Sequence, residues 1–269
     1  PLLYVDTDND GILDSERDLS TIPLHDWQDE ALRNSFTQSH NISASGGNEK
    51  TDFSASLGYL NQDAIIRNNN YLRINSRIKL NHKFSDKFST GFNLISAYSE
   101  QSGATSSGGN TNFNGVLQSL IISKPTEFFN EDDAGDAVFG RYVSPISMID
   151  IAEKNISLTQ VISNIWLKYN FTKTLDFKVR IGGNTSSSKG KEFYSKNTTW
   201  GVQDNGRGVL QNRKSISYFA ITQLNYRLSL NKIHNFNFMV AAERNYYNQE
   251  GFKTDVTPCV GASGVCLGL

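Results

Sequence analysis

Apolar and polar residues alternate along several stretches of the chain, with Ser, Asn, Lys, Arg and Asp at most of the intervening positions. The apolar sets are Phe53, Ala55, Leu57 and Tyr59; Leu72, Ile74, Ile78 and Leu80; Phe88, Phe92 and Leu94; Val161, Ile165, Leu167, Tyr169 and Phe171; Leu175, Phe177, Val179 and Ile181; Ile216, Tyr218, Ala220, Leu224, Tyr226 and Leu228; and Phe236, Phe238, Val240 and Ala242. Successive side chains of a strand point to opposite faces, so each set predicts a strand with one apolar and one polar face. A weaker run at 36–45 brings the number of candidate strands to eight. The first two sets should face the same side of one antiparallel sheet.

The links between these strands are alternately short and long. The short links are 46–50, 85–87, 172–174 and 231–234, and the long ones are 62–70, 102–157 and 187–213. This alternation predicts tight turns at one end of the sheet and long loops at the other, as in outer-membrane β-barrels. Several candidate strands also reach the ~9–11 residues that a barrel strand needs. The predicted fold is all-β, an antiparallel transmembrane β-barrel represented in part by about eight long strands.

Aromatic residues near the predicted strand ends agree with a membrane barrel. They are Tyr59, Tyr98, Trp166, Tyr169, Phe171, Tyr226 and Tyr246. Barrels carry aromatic girdles at the two membrane surfaces, although aromatic residues are enriched in every kind of β-sheet. The competing fold is a β-sandwich, which would bury the same apolar residues between two sheets instead of presenting them to lipid.

Composition and charge narrow the class of protein. The chain has 27 acidic and 26 basic residues, so it lacks the broad positive charge of a nucleic-acid-binding protein. Its 16 Phe and 11 Tyr are too many for a disordered chain. The sequence has no stretch of ~20 consecutive apolar residues that would form a transmembrane helix. It begins at Pro1 without a signal segment, which predicts a fragment or a processed piece.

One compact motif is of the calcium-binding type. Residues 6–14 read Asp-Thr-Asp-Asn-Asp-Gly-Ile-Leu-Asp, in which carboxylates at alternate positions converge on a hard cation and glycine permits a sharp turn. The predicted ligands are Asp6, Asp8, Asp10, the carbonyl of Ile12, and Asp14. Arg17 stands where a calcium loop normally has a bidentate carboxylate, so the predicted affinity for Ca²⁺ is weak, ~10⁻⁴–10⁻³ M. A solvated acidic loop is the alternative interpretation.

The sequence predicts no catalytic site and no cofactor other than Ca²⁺. The four His residues are scattered without metal-ligand spacing, and no Ser, His and Asp arrangement can be argued from spacing. Cys259 and Cys266 lie close together in a Gly-rich segment, where they can form a disulfide or remain free thiols. The protein is therefore not predicted to be an enzyme.

The most specific signal lies in the first predicted hairpin. His40-Asn41-Ile42-Ser43 and Ser45-Gly46-Gly47 form an HN-hydrophobic-S-x-SGG pattern. Further matching segments are 26–30, 57–62, Ile65-Ile66, Arg73 with 75–80, Asn225-Tyr226 and 234–236. Together these residues resemble the SusC/RagA family of TonB-dependent transporters, over most of 26–250.

The resemblance implies a plugged outer-membrane barrel of ~22 strands. It also implies energy supplied through TonB and a SusD-like surface lipoprotein that captures oligosaccharides or peptides. The plug and the TonB-contacting segment have no counterpart in this chain, so the chain alone is not expected to transport. Members of the family usually lack cysteines, and Cys259 and Cys266 depart from that pattern.

The sequence thus predicts three segments. Residues 1–34 are an extracellular loop with the calcium-type motif, 35–250 are barrel strands, and 251–269 are a Gly-rich tail or truncated loop. The predicted function is a part of a TonB-dependent receptor and nutrient importer in the cell outer membrane. The alternative is a surface β-sandwich with a calcium loop, acting as an adhesin or binding protein.

Overall fold

Long antiparallel strands make up most of the structure, which is a computed structural model. It describes residues 4–5, 15–16, 24–104, 115–123, 125, 145–150, 153–196, 198, 201, 204–231, 233–257, 259–260 and 265–266. The helices are α1 (Trp27–Ala31), α2 (Val116–Ile122) and α3 (Pro145–Asp150). The strands are β1 (Tyr4–Val5), β2 (Ser15–Glu16), β3 (Thr37–Gly47), β4 (Thr51–Asp63), β5 (Asn70–Lys83), β6 (Phe88–Gly103), β7 (Glu153–Asn170), β8 (Leu175–Tyr194), β9 (Arg207–Leu230), β10 (His234–Val256), β11 (Cys259–Val260) and β12 (Val265–Cys266).

Strands β3 to β10 form one antiparallel sheet in which each strand pairs with the next along the chain. This order confirms the predicted eight-stranded antiparallel fold. Phe53 lies opposite Leu80, and Tyr59 lies opposite Ile74. Residues directly opposite each other in an antiparallel pair share a face. The prediction that the first two apolar sets face the same side is therefore confirmed.

The four tight turns all lie at one end of the sheet, which we call the turn end. They are 48–50, 84–87, 171–174 and 231–233, while the links 64–69, 104–152 and 195–206 lie at the opposite, loop end. The predicted alternation is confirmed, but the predicted bounds of the long loops 102–157 and 187–213 are wrong. Strand β8 continues to Tyr194 and β9 begins at Arg207. Polar residues and glycine fill both faces over most of these extensions, and their few apolar residues come in adjacent pairs, Phe193 with Tyr194 and Val209 with Leu210. The sequence therefore shows no apolar alternation there.

Side-chain oxygens hold the first three turns closed. Asn48 Oδ1 accepts from the backbone N–H groups of Lys50 and Thr51, both at 2.9 Å. Ser85 Oγ and Thr172 Oγ1 accept from the backbone in the same way, at 3.3 and 2.9 Å. Such Asx- and ST-type contacts replace a backbone partner within the turn. The turns can therefore be short without leaving polar backbone groups unpaired.

Successive hairpins are staggered toward the turn end. The first residue of β4, β6 and β8 is paired with a residue near the end of the following odd-numbered strand, and that strand continues beyond the pair. Strand β5 continues one residue beyond the partner of Thr51, and β7 one residue beyond the partner of Phe88. Strand β9 continues four residues beyond the partner of Leu175. Closing a sheet into a barrel requires strands tilted by ~35–45° and a stagger of this kind. The sheet is thus sheared as a barrel wall is, although these eight strands alone do not close into a ring.

Three short helices pack together at the loop end. Their buried residues are Trp27, Ala31, Val116, Leu120, Met148 and Ile149, which form one cluster with Ile66 and Ala104. The Asp26 side chain caps α1 by accepting from the N–H groups of Gln28 and Asp29. The Asp150 carboxylate accepts hydrogen bonds from Arg67 Nη2 at 2.9 Å and from Asn68 Nδ2 at 3.0 Å. These bonds connect α3 to the β4–β5 link. None of the helices in the described ranges is long and apolar enough to cross a membrane.

The apolar face of the large sheet is open. Ile165 is 45% exposed, Ile181 53% and Val240 72%, and no second sheet covers them within the described residues. In a sandwich these side chains would be buried. The structure therefore contradicts the β-sandwich alternative.

Strand β10 runs through residues that the sequence pattern placed in the tail. It ends at Val256, and the short strands β11 and β12 follow it. In the β11–β12 pair, Cys259 and Cys266 are opposite each other. This register is compatible with the disulfide, which stays one of the two alternatives that the sequence left open.

Candidate functional site

The predicted calcium ligands lie outside the described residues. They are Asp6, Asp8, Asp10, Ile12 and Asp14. The structure describes only the flanking strands, in which Tyr4 pairs with Glu16 and Val5 with Ser15. This pairing brings the two ends of the motif together. Within the described part of the chain, no group of three or more His, Cys, Asp or Glu residues could hold a metal ion.

The unbroken registers assign every residue of β3 to β10 to one of two faces. We call the face that carries Ile165 and Tyr218 the apolar face, and the opposite one the polar face. Twelve basic and five acidic residues lie on the polar face, whereas the apolar face has four of each. The charged polar-face residues are Arg73, Arg77, Lys79, Lys83, Lys154, Lys168, Lys178, Arg180, Arg207, Arg213, Arg227 and Lys253, with Asp52, Asp176, Glu192, Glu243 and Asp255. A nearly neutral chain thus presents a basic surface on one side of its sheet.

A buried carboxylate organises the polar face near the turn end. Asp176 is only 3% exposed. Its carboxylate accepts from Arg227 Nη2 at 2.9 Å and from Asn225 Nδ2 at 2.8 Å, and Lys168 Nζ lies 3.6 Å away. Asp176 lies on β8, and its partners come from the two flanking strands, Lys168 from β7 and Asn225 and Arg227 from β9. Because the carboxylate is buried and two of its partners are cationic, the cluster cross-links the three strands.

Beside this cluster, Lys178 lies over the ring of Trp166, with Nζ 4.8 Å from the ring centroid. The indole in turn lies close to Gly91, where an added Cβ would come within 2.4 Å of Trp166 Nε1. Glycine at this position makes room for the indole on the polar face. The assignment of Trp166 to an interfacial girdle is therefore wrong. On β7 the odd-numbered residues, such as Ile165 and Leu167, lie on the apolar face, so the even-numbered Trp166 lies on the polar face.

Lys178 and the neighbouring Arg180 have no carboxylate oxygen within 4.0 Å among the residues that the structure describes. An ammonium above an indole and a free guanidinium are suited to carboxylate, sulfate or phosphate groups. A recess of about 420 Å³ is lined by Lys178 together with Lys168, Asn225 and Asn237, among others. We call the group Lys168, Asp176, Lys178, Arg180 and Arg227 the basic cluster.

Sequence reasoning missed the basic cluster because it is assembled across strands. Asp176, Lys178 and Arg180 were visible as the polar positions of one alternating run. Lys168 and Arg227 join them only through the β7–β8–β9 registers. The predicted turn at 172–174 was the signal that could have placed Lys168 beside Asp176 and Lys178, because this turn sets the β7–β8 register.

Aromatic side chains form two groups on the apolar face, the turn-end belt and the loop-end belt. The turn-end belt comprises Phe84, Phe88, Tyr169, Phe171, Tyr226, Phe236 and Phe238, and the loop-end belt comprises Tyr59, Tyr98, Tyr218 and Tyr246. Tyr218 and Tyr246 stack at 4.5 Å between ring centroids. Phe88 and Tyr98 are ten residues apart on β6. That is about 33 Å along the strand and about 23–25 Å along a barrel axis, close to the ~25 Å apolar band of membrane barrels.

Comparisons with curated proteins give three relevant relatives. The chain is 24% identical over 235 residues to the TonB-dependent receptor P39 of Formosa agariphila, a match that covers 85% of this chain and 21% of the relative. It is 25% identical over 183 residues to the TonB-dependent receptor P26 of the same organism, covering 66% and 18%. It is 22% identical over 253 residues to the TonB-dependent receptor SusC of Bacteroides thetaiotaomicron, covering 85% and 24%.

Solved structures share the fold. A chain of the RagAB peptide importer in its closed-closed state superposes with a TM-score of 0.70 at 16% identity, covering 87% of this chain and 27% of that one. The open-open state gives a TM-score of 0.69 at 17% identity, covering 90% and 28%. The chain resembles TonB-dependent receptors of the SusC/RagA type. No protein-family model matches this SusC/RagA-like chain. It spans about a fifth of the length of the curated relatives it matches.

Proposed function

We propose that this SusC/RagA-like chain is a wall segment of a TonB-dependent nutrient importer in the outer membrane. The observation that carries the proposal is the two-faced sheet. Its apolar face is exposed between two aromatic belts about 23–25 Å apart along the axis, and its polar face is rich in Asn, Ser, Lys and Arg. Lipid would cover the first face and the second would line the interior. The turn end would be periplasmic and the loop end extracellular.

The interior role makes polar solutes the proposed cargo, in the form of oligosaccharides or peptides. RagAB, whose fold the chain shares, is a peptide importer. The partners we propose are a SusD-like surface lipoprotein at the loop end and TonB on the periplasmic side. The proposed role is binding and passage of solute without chemical conversion.

Cysteine labelling tests the orientation of the proposed wall. The full-length protein would first carry Cys259→Ser and Cys266→Ser, and then either Asn205→Cys at the loop end or Asp86→Cys at the turn end. We expect a membrane-impermeant maleimide to label position 205 on intact cells, because loops of barrels face outward. Position 86 should be labelled only after the cells are lysed.

Labelling of both positions on intact cells would contradict placement in a membrane. Labelling of position 86 alone on intact cells would show that the wall has the opposite orientation, with the turn end outside. Denatured samples of both variants, which must label equally, control for the reactivity of the thiols.

We further propose that the calcium-type motif binds Ca²⁺ through Asp6, Asp8, Asp10, the Ile12 carbonyl and Asp14. The pairing of β1 with β2 supports this, because it closes the segment that contains the motif into a loop. On the extracellular side the loop would meet millimolar Ca²⁺, which fills even a weak site. The ion would offset the repulsion between carboxylates and so stiffen an outer loop for contact with a partner.

Titration calorimetry of the full-length protein tests this site. Wild type should bind Ca²⁺ with a Kd of ~10⁻⁴–10⁻³ M, and the Asp8→Ala, Asp10→Ala variant should lose that heat because two ligands are gone. An Asp29→Ala, Glu30→Ala variant on α1 removes the same charge elsewhere and should bind as wild type does. Equal heats from wild type and the Asp8, Asp10 variant would exclude the site.

A further inference from the structure

The apolar face changes character beyond the loop-end belt on β8 and β9. Up to the loop-end belt this face carries residues such as Ile181 and Tyr218. Beyond the belt, toward the loop end, it carries Lys189, Lys191 and Lys214, which are all exposed. The registers place Lys214 opposite Ser187 and Lys189 opposite Asn212. The three lysines therefore lie on the face that continues the apolar band, opposite to the polar face.

The lysines are close enough to act on one anionic group. Lys189 and Lys191 are two residues apart on one strand, or about 7 Å, and Lys214 is the diagonal neighbour of Lys189, at about 7–8 Å. No carboxylate oxygen lies within 4.0 Å of any of them in the described part of the chain. Glu250 is opposite Lys214 in the register but forms no ion pair with it. Glu153 is the diagonal neighbour of Lys191 on the same face and forms no ion pair with it either. Three ammonium groups at this spacing repel one another, and an anion lying between them would relieve that repulsion.

Their height matches that of lipid headgroups. Lys214 is four residues beyond Tyr218 along β9, about 13 Å along the strand and about 9–10 Å along the axis of a tilted barrel. The headgroup layer of a typical bilayer is about 5–8 Å thick on each side, so the backbone of Lys214 lies a few ångström beyond it. Lysine stems are long and flexible, so the ammonium groups can reach along the surface toward the belt.

We infer that Lys189, Lys191 and Lys214 bind the phosphate of an anionic lipid headgroup in the outer leaflet. This inference rests on the proposed membrane placement. The occupant is a lipid because the patch continues the lipid-facing band, and its phosphate supplies an anion for ammonium groups that form no ion pair with the neighbouring Glu250 and Glu153. A solute in the interior cannot reach this side of the wall. Such a contact would fix the depth of β8 and β9 in the membrane.

Lipid binding to the full-length protein in detergent is the test. Native mass spectrometry would measure binding of lipid A that carries phosphate on its sugars, and of the same lipid A after dephosphorylation. The variant K189Q/K191Q/K214Q removes the patch. The matched control K50Q/K87Q/K173Q removes the same charge from three turns at the other end of the sheet.

Wild type and the turn control should prefer phosphorylated lipid A alike. The patch variant should bind it on the order of a hundredfold more weakly, about fivefold for each lysine. Equal weakening in the two triple variants, or equal binding of the two lipids by wild type, would overturn the inference. Displacement of the lipid by an equal concentration of inorganic phosphate would overturn it too, since the site would then be one for free phosphate.

The cysteine labelling described above separates this inference from the proposed function. If labelling gives the expected orientation but the patch variant binds lipid A as wild type does, only the lipid site fails. If labelling contradicts the membrane placement, both fail.

Discussion

Arginine in place of Ile165 should lower the free energy of unfolding of the full-length barrel by about 2–4 kcal/mol. Ile165 lies on the apolar face, in line with Phe92 and Ile181, and is 45% exposed. Arg244 ends the same row on β10, two residues from Tyr246 of the loop-end belt. Ile165 itself lies between the two aromatic belts, where a charged side chain must displace lipid or distort the bilayer. Equilibrium unfolding in guanidinium chloride, with the protein held in lipid, would measure the change.

Two arginine substitutions on the same strand serve as controls. Asn164→Arg puts the charge on the polar face, and Ser157→Arg puts it on the apolar face beyond the loop-end belt. Both should cost about 0–1 kcal/mol. A cost at 157 equal to that at 165 would show that depth does not matter, which would contradict a lipid-covered band.

Removal of the two cations that pair with Asp176, Lys168 and Arg227, should cost about 3–5 kcal/mol of unfolding free energy. In the double variant Lys168→Gln, Arg227→Gln, the carboxylate of Asp176 would stay buried with only Asn225 as a partner among those in the structure. A buried carboxylate that has lost its ion-pair partners is strongly destabilising. Each single variant should cost less, because one cation remains. Guanidinium unfolding of the three variants would compare them.

A third substitution separates charge from packing. Adding Asp176→Asn to the double variant removes the buried charge and should restore most of the lost stability. The Lys83–Asp86 pair at 2.6 Å is the exposed control. There the Lys83 ammonium lowers the pKa of the Asp86 carboxyl through a hydrogen bond and its charge. Because Asp86 is fully exposed in its turn, Asp86→Asn should change stability little. Failure of the Asp176→Asn rescue would show that the cluster acts by packing.

The alternation of apolar and polar residues was sufficient to predict the strand order and the position of the turns. It works between the belts because lipid and interior make opposite demands on the two faces. On β5, for example, the apolar residues Leu72, Ile74, Ile78 and Leu80 alternate with polar and charged residues of the opposite face. The signal ends beyond the loop-end belt, where Lys189 and Lys191 on one face follow Ser186 and Ser188 on the other. That is why the predicted loops 102–157 and 187–213 were too long.

Sites on the polar face could be predicted only in part. The cluster around Asp176 depends on pairing between β8 and β9, and Arg227 is far from Asp176 in sequence. No local pattern contains that information. Trp166 is a different case, because its parity on β7 alone places it opposite to Ile165 and Leu167. The girdle prediction used nearness to the strand end and ignored parity.

The uneven links between strands have a consequence for the order of folding. The entropic cost of closing a loop rises by about 0.6 kcal/mol for each doubling of its length. Bringing β6 to β7 across 104–152 therefore costs about 2 kcal/mol more than closing a turn such as 84–87. The links within β3–β6 and within β7–β10 are all much shorter. We expect β3–β6 and β7–β10 to form separately as two four-stranded sheets. The pairing of β6 with β7, which places Phe92 opposite Ile165, would then be the late, slow step that joins them.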